Sequence, residues 1–405
     1  MRKIGQMRRL FQIACLVLLS SVLSAGANSH HRQNFYLSPK SAFSFSIPSE
    51  VRTTHFEQAE ELGQIGSLIF QKNPIQPENS YFKLTYPAYS TKTKKRFYLA
   101  PQFPTLWLNT LISETVNSII YDAWDFERDE EVIIKVLGAN YTDEDKSDFR
   151  FEAEVLQKFD HPNIVKAHKL SDSKNGVSYI MEKINGHHLD YFLSNKTPLS
   201  FEEIFAIGIQ TAEALEYIHQ NEVIHRDIKT RNLIWNQVEK KLTLIDFGIA
   251  IKKGENPYPD QIRGTISYLS PEQIKPKEKI TEKTDIYSLG VVLYELCTKK
   301  LPYNGEIHPN LTPEIFDKLS EEDQIELVMV QISRPELHKA RKPVRALNPC
   351  TPPGLEKIIN KAMSFKPHNR HQTATALKEA LIQARDKLFG RVFVEASSQE
   401  INISL

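Results

Sequence analysis

Four side chains in the second half of the chain could do chemistry together: Asp227, Lys229, Asn232 and, fourteen positions after the asparagine, Asp246. Asp246 follows the apolar pair Leu244-Ile245 and precedes Phe247-Gly248, so it stands where a buried strand gives way to a turn. Carboxylate and amide oxygens are hard donors of the kind Mg²⁺ takes, and Mn²⁺ accepts the same set. Phosphoryl transfer needs this arrangement: one Asp near an attacking hydroxyl, with an Asn and a second Asp to hold a divalent cation against a triphosphate. Far upstream, Val132-Ile133-Ile134-Lys135-Val136-Leu137 is an apolar run broken by one cation. Such a placement is costly unless the ammonium has partners.

The run Val223-Ile224-His225-Arg226-Asp227-Ile228-Lys229-Thr230-Arg231-Asn232-Leu233 resembles the catalytic loop of protein kinases, and Leu244-Ile245-Asp246-Phe247-Gly248 resembles the metal-binding segment that follows it. In the right order and spacing the two are specific together, where one alone would not be. The resemblance implies that Asp227 orients the substrate hydroxyl and accepts its proton, that Asn232 and Asp246 ligate Mg²⁺, and that Lys229 neutralises charge on the transferred group. A lysine at 229 is what Ser/Thr kinases typically show, so a protein Ser or Thr hydroxyl is the implied acceptor and ATP the donor. Lys135 matches the strand lysine that contacts the α- and β-phosphates. Its helix partner, nine residues before the turn His161-Pro162-Asn163-Ile164-Val165, is Glu152, with Glu154 as the alternative and an exposed helix charge as the plain reading of either.

Tyr179-Ile180-Met181-Glu182-Lys183-Ile184-Asn185-Gly186 resembles the hinge between kinase lobes. Met181 then borders the adenine pocket, unless it is simply core, and Glu182 and Ile184 lie where backbone meets adenine. Ile120, Ile133 and Ile234 belong to the same implied nucleotide site. Gly264-Thr265-Ile266-Ser267-Tyr268-Leu269-Ser270-Pro271-Glu272 resembles the end of an activation segment, whose Glu272 would pair with Arg370. Thr284-Asp285-Ile286-Tyr287-Ser288-Leu289-Gly290 resembles the buried helix whose Asp holds the catalytic-loop backbone. Taken together, the resemblance runs from about Leu106 to Arg385 and is nearest to the eukaryotic-type Ser/Thr kinases of bacteria.

Three features depart from the family. Ser113, Thr115 and Ser118 stand where the phosphate-covering loop carries glycines, which let backbone approach phosphates closely. Ser and Thr keep the amide donor and can add a hydroxyl, but their Cβ obstructs close approach. Ile133, on the same strand face as Lys135, replaces a small alanine and narrows the expected pocket. Between Gly248 and Gly264 the one hydroxyl side chain is Tyr258, so Arg226 has no phosphorylated Ser or Thr to meet there. Thr265 matches the threonine that shapes the substrate-binding loop, and activity is expected to need no Ser/Thr phosphorylation between those glycines.

The elements that must position these groups follow from periodicity. Strands are expected at Ile119–Trp124, Glu131–Leu137, Ile164–Leu170 and Val177–Glu182. Helices are expected at Asp148–Phe159, Ala206–Gln220, Asp285–Cys297, Leu355–Ala362 and Ala374–Lys387. The fold class is α+β, a two-lobed protein-kinase fold with a small β-rich N-lobe, a large helical C-lobe and an N-terminal extension. The expected domains are 1–27 as signal peptide, 28–104 as linker and possible small β-rich extension with strand-like runs at Ser67–Phe70 and Tyr81–Tyr86, 105–386 as kinase domain, and 387–405 as C-terminal tail.

With 51 Lys and Arg against 50 Asp and Glu, the net charge of +1 gives no bulk attraction to nucleic acid or acidic membranes, so no nucleic-acid partner is expected. Cys15, Cys297 and Cys350 lack metal-ligand spacing and are too few for a disulfide framework. Arg2, Lys3, Arg8 and Arg9 precede an apolar run, Leu10–Leu23, that ends in Ala25-Gly26-Ala27. This is the pattern of a secretory signal, and a buried amphipathic helix would not put all its cations on one flank. If uncleaved, it is the one expected membrane contact. Export removes the domain from cytosolic ATP, so delivery into a host cell or retention in an ATP-supplied lumen is expected, with the first favoured. A pseudokinase scaffold, supported by Ser113, Thr115, Ser118 and Ile133, is the alternative to an active enzyme. Transfer of a nucleotidyl group is a third reading, disfavoured by the ordinary motif order.

Overall fold

The computed structural model describes residues 63–65, 68–70, 87–90, 96–99, 106–115, 118–125, 128–137, 142–173, 176–194, 198–255, 262–275, 278–303 and 318–399. The signal-like segment 1–27, the run Tyr81–Tyr86, Tyr258 and residues 400–405 lie outside them. Two compact units emerge: one takes in the chain up to Ser147 with Ala167–Lys183, the other Asp148–Lys166 with the chain from Ile184 onward.

Antiparallel strands make up the first unit: β1 (Gly63–Ile65), β2 (Leu68–Phe70), β3 (Pro87–Ser90), β4 (Arg96–Leu99), β5 (Leu106–Glu114), β6 (Ser118–Asp125), β7 (Glu130–Leu137), β8 (Ala167–Ser173) and β9 (Gly176–Glu182). They form one nine-stranded sheet in the order β1-β2-β3-β4-β5-β6-β7-β9-β8. The expected extension is thus backbone-continuous with the sheet, since β4 pairs with β5 through Tyr98↔Leu108 and Leu99↔Trp107. Alternation along β6 and β7 sends Ile119, Tyr121, Val132, Ile134 and Val136 to one face, where they join Leu106 and Leu108 in an apolar cluster. The opposite face carries the polar chemistry in two registered rows: Ile120 beside Lys135 beside Tyr179, and Asp122 beside Ile133 beside Met181.

Sequence expectation and structure differ at β8. The strand starts at Ala167, not Ile164, because Asn163–Val165 pairs elsewhere: Val165 N–H donates to Leu244 O at 3.0 Å and Leu244 N–H to Asn163 O at 2.8 Å.

Helices dominate the second unit. They are α1 (Asp143–Lys158, whose first turn belongs to the β unit), α2 (Leu189–Ser194), α3 (Phe201–Gln220), α4 (Pro271–Ile274), α5 (Lys283–Thr298), α6 (Glu321–Ser333), α7 (Pro335–Lys339), α8 (Val344–Leu347), α9 (Pro353–Ala362) and α10 (Ala374–Gln399). Short strands β10 (His187–His188), β11 (Val223–Ile224), β12 (Leu233–Asn236), β13 (Lys241–Leu244) and β14 (Ile251–Lys252) complete it, β10-β12-β13 as one sheet and β11-β14 as another. Helix α5 is buried on every side from Thr284 to Cys297 and forms the centre of the unit.

Helix α3 begins at Phe201, earlier than the apolar period suggests, because Ser200 and Glu203 form a capping box: Ser200 Oγ accepts from Glu203 N–H at 3.2 Å while Glu203 Oε2 accepts from Ser200 N–H at 2.9 Å. Helix α10 runs to Gln399, past the expected end at Lys387, and the Phe389 ring meets Phe205 of α3 edge-on at 6.3 Å. The first part of the expected tail is therefore helix.

Glu272 and Arg370, buried and 98 positions apart, form the bidentate pair foreseen for them, with Nη1–Oε1 at 2.6 Å and Nη2–Oε2 at 2.7 Å. Arg370 Nε also donates to Ser364 O at 2.8 Å, and Thr284 Oγ1 donates to Glu272 Oε1 at 3.0 Å. Removing one partner strands the other's charge in the interior. Glu272→Gln or Arg370→Ala should therefore destabilise the protein by roughly 3–5 kcal/mol in chemical denaturation.

Burial raises the pKa of Glu203, but bonds from Lys240, Ser200 and Gln237 outweigh it and hold the carboxyl at about 2. Its folded value lies below the unfolded one, so its stabilisation is present at neutral pH and is lost as pH falls from 4.5 towards 2. Glu203→Gln should lower the melting temperature at pH 7, and the gap to wild type should close on acidification across that window.

Candidate active site

Within the helical unit the β12–β13 ladder turns sequence spacing into adjacency. Leu233 pairs with Leu244, and Ile245 N–H then donates to Asn232 O at 2.9 Å, which brings Asn232 and Asp246 to the same end of the hairpin. Asn232 Nδ2 donates to Asp227 O at 2.9 Å and to Asp227 Oδ2 at 3.1 Å. Those bonds commit the amide nitrogen inward and leave Oδ1, the hard oxygen, as the group's other polar atom. An amide oxygen and the Asp246 carboxylate at one hairpin end make a donor set that fits Mg²⁺. Among the described residues no cluster of three or more His, Cys, Asp and Glu forms a metal site of another kind.

Asp227 is held from three directions. Lys229 Nζ lies 2.6 Å from its Oδ2, Thr265 N–H donates to its Oδ1 at 3.1 Å, and Asn232 takes the contacts above. Lys229 also donates to Thr265 Oγ1 at 2.8 Å, so one threonine touches both members of the acid–ammonium pair. The loop beneath is fixed by Asp285, 0% exposed, which accepts from His225 N–H at 2.9 Å and Arg226 N–H at 2.8 Å. Its Oδ2 also lies 2.8 Å from His219 Nε2. Burial would raise the Asp285 pKa, but these donors and the neighbouring histidines hold it below the ordinary value. Arg226 and Asp246 both sit at positive φ, 68° and 65°, a strained conformation for side-chain-bearing residues that the surrounding bonds maintain.

Glu152 on α1 is 1% exposed, whereas Glu154 faces solvent, and Glu152 Oε1 accepts from Phe247 N–H at 3.0 Å. The Phe247 ring is packed edge-on against His225 and Phe159, at 4.6 and 5.9 Å. Ile234 lies on β12 abreast of His188, and Ile184 opens the strand-free stretch before β10; both are half-buried. Gly186 in that stretch has φ 140°, and a Cβ there would come within 2.6 Å of Trp235 O, so only glycine passes.

In the β unit, Lys135 is 6% exposed with its Nζ 6.0 Å above the Tyr179 ring. Ile133 and Met181 are half-buried neighbours on that same face, with Ile120 across from Lys135. Glu182 ends β9, and after it Lys183 Nζ binds Asp122 Oδ1 at 2.8 Å and Glu131 Oε2 at 3.1 Å, a triad that strand periodicity does not reveal. Ser113 lies at the end of β5, paired with Ile120, and Thr115 and Ser118 flank the turn into β6. Thr115 N–H donates to Ser118 O at 2.8 Å and Ser118 N–H to Thr115 Oγ1 at 3.0 Å. Two of the amides expected to serve a phosphate are thus used by the hairpin itself. The hydroxyl that was expected to add a donor closes the turn instead.

The protein kinase domain family matches residues 112–382. Over 271 residues, covering 66% of this chain and 38% of the relative, the sequence is 31% identical to serine/threonine-protein kinase PrkC of Bacillus subtilis. It is 30% identical over 293 residues to a probable serine/threonine-protein kinase of Clostridium acetobutylicum (70% and 41% covered), and 26% identical over 275 residues to serine/threonine-protein kinase PknB of Mycobacterium leprae (66% and 40% covered). The chain spans about two fifths of the length of these relatives. With the family match running from the end of β5 through most of the helical unit, and with the clustered acids in its ordinary motif order, the chain belongs to the protein kinase family.

Proposed function

We propose that this protein is a Ser/Thr protein kinase that moves the γ-phosphoryl group of ATP to serine or threonine hydroxyls of a protein. The observation that carries the reading is the cluster of Asp227, Lys229, Asn232 and Thr265. An isolated loop carboxylate would be solvated, but here each oxygen of Asp227 has a donor and the ammonium beside it is pinned at a second point. In this reading the incoming hydroxyl loses its proton to Asp227 as its oxygen bonds to phosphorus and the bond to the β-phosphate oxygen breaks. Lys229 offsets charge on the group in flight, and Lys135 contacts the α- and β-phosphates. Asn232 Oδ1 and Asp246 would hold Mg²⁺, which screens triphosphate charge that otherwise repels the hydroxyl. Glu152 keeps Phe247, and so the neighbouring Asp246, in place. Ile120, Ile133, Met181, Glu182, Ile184 and Ile234 serve adenine. The 31% identity to a bacterial serine/threonine-protein kinase supports the acceptor class.

The cationic flank and apolar run at the N-terminus support export, and the scarcity of ATP outside cells supports delivery into a host cell as the destination. Among the described residues no helix is long and apolar enough to cross a membrane.

A pseudokinase scaffold is favoured by one observation, the hairpin bonds that consume the Thr115 and Ser118 amides. Incubation of residues 28–405 with Mg²⁺ and labelled ATP separates the two readings. Asp227→Ala and Asp246→Ala should each lower turnover by on the order of a thousandfold. Equal incorporation by wild type and both variants would remove the enzyme. Thr115→Gly frees the Ser118 amide and the Cβ space, so KM for ATP should fall by about two- to fivefold, the worth of one hydrogen bond. No MgATP uptake by wild type at saturating nucleotide would leave only the scaffold.

A further inference from the structure

The same face of α1 grips the chain on both sides of the segment that follows Asp246. Asp148 and Glu152 are four residues apart and therefore lie one above the other on the helix. Glu152 Oε1 takes the Phe247 N–H at 3.0 Å, and Asp148 Oδ2 takes Arg263 Nη1 at 2.6 Å. Two residues past Arg263 stands Thr265, whose N–H and Oγ1 contact Asp227 and Lys229. The ion pair thus sits next to the contact that orients the proposed proton acceptor.

Charge nearby explains why a carboxylate is needed. Arg226 is buried, its Nε donates to Ile249 O at 2.6 Å, and it feels the charge of Arg263. Burial and then Arg263 push the Arg226 pKa down to about 10, while Asp148 works the other way. Two guanidiniums brought together would push the chain at 263 outward without an anion to offset them. The side chains of Gly248–Gly264 include one hydroxyl, Tyr258, so no phosphoserine or phosphothreonine can supply that anion from this stretch.

We propose that Asp148 and Arg263 are a positioning pair for the reaction: a built-in carboxylate clasp that holds Thr265 against Asp227 and Lys229 and replaces a regulatory phosphoryl group. This rests on the kinase reading above for its effect on turnover, but the clasp itself has a readout that needs no catalysis. Amide hydrogen exchange of the full chain should be measured in wild type, Asp148→Asn, Asp148→Glu and the charge swap Asp148→Arg with Arg263→Asp. Asp148→Asn should speed exchange across 262–268 by about two- to fivefold, as expected for one partly exposed ion pair, and leave the α5 core unchanged. In parallel, kcat should fall by a similar factor with KM for MgATP held within about twofold. Asp148→Glu or the swap should restore both, and phosphatase treatment of wild type should change neither. Exchange and turnover of Asp148→Asn equal to wild type, or a loss that neither second variant repairs, overturns the clasp. Wild type that shows the exchange pattern but no transfer above an Asp227→Ala background keeps the clasp and removes the kinase.

Discussion

A single carboxylate with no access to solvent organises the working part of the helical unit. Asp285, on the first turn of α5, binds two consecutive backbone N–H groups of the loop that carries Asp227, and a histidine ring besides. A buried ion is costly, and two backbone N–H groups and the His219 ring converge to offset that cost here. That convergence forces the loop into the left-handed turn at Arg226, and the turn in turn aims Asp227 at Lys229, Asn232 and Thr265. Without the carboxylate, two buried amides would be stranded and the strained turn would lose the bonds to its own N–H groups.

The residues beside Asp285 extend the same logic to a second loop. Lys283 O accepts from Arg370 Nη1 at 2.9 Å, and Thr284 donates to Glu272, the other half of the buried ion pair. Gln273, next to Glu272, donates to Arg226 O at 3.0 Å. Three consecutive residues at one helix end therefore tie together the loop that carries Asp227, helix α4 and the distant Arg370. Tyr268 adds another tie: its hydroxyl donates to Glu295 of α5 at 2.5 Å and lies 2.9 Å from Thr230 Oγ1. The chemistry rests on a rigid base because α5 is buried without a break from Thr284 to Cys297.

What was legible in the sequence was whatever is local or motif-borne. Asp227, Asn232 and Asp246 stand out by spacing, Lys135 by being a lone cation in an apolar strand, and Glu272 with Arg370 by position in long motifs. The Ser200-x-x-Glu203 box was readable and would have moved the start of α3 to Phe201. Other features were not readable, for a physical reason. Arg263 and Asp148 are 115 positions apart and Lys183 and Asp122 are 61 apart, and each of these is a charged residue whose local pattern looks like any solvated face. Their partners are set by tertiary packing, which no window of neighbouring residues contains. The Thr115–Ser118 closure fell between these cases: the residues were noticed, but their hydroxyls were assigned outward, whereas a short-range bond to the turn's own backbone was the nearer use.

The long final helix bears on where the chain can be shortened. The kinase family match ends at 382, yet α10 continues to Gln399 and its Phe389 ring covers Phe205, a residue with no exposed surface. A truncation placed at the family boundary would sever a helix in mid-course and uncover an aromatic ring in the second turn of α3. Such a shortened protein would be prone to stick to itself through that bared ring, and its poor solubility would reflect the cut and not the sequence upstream of it.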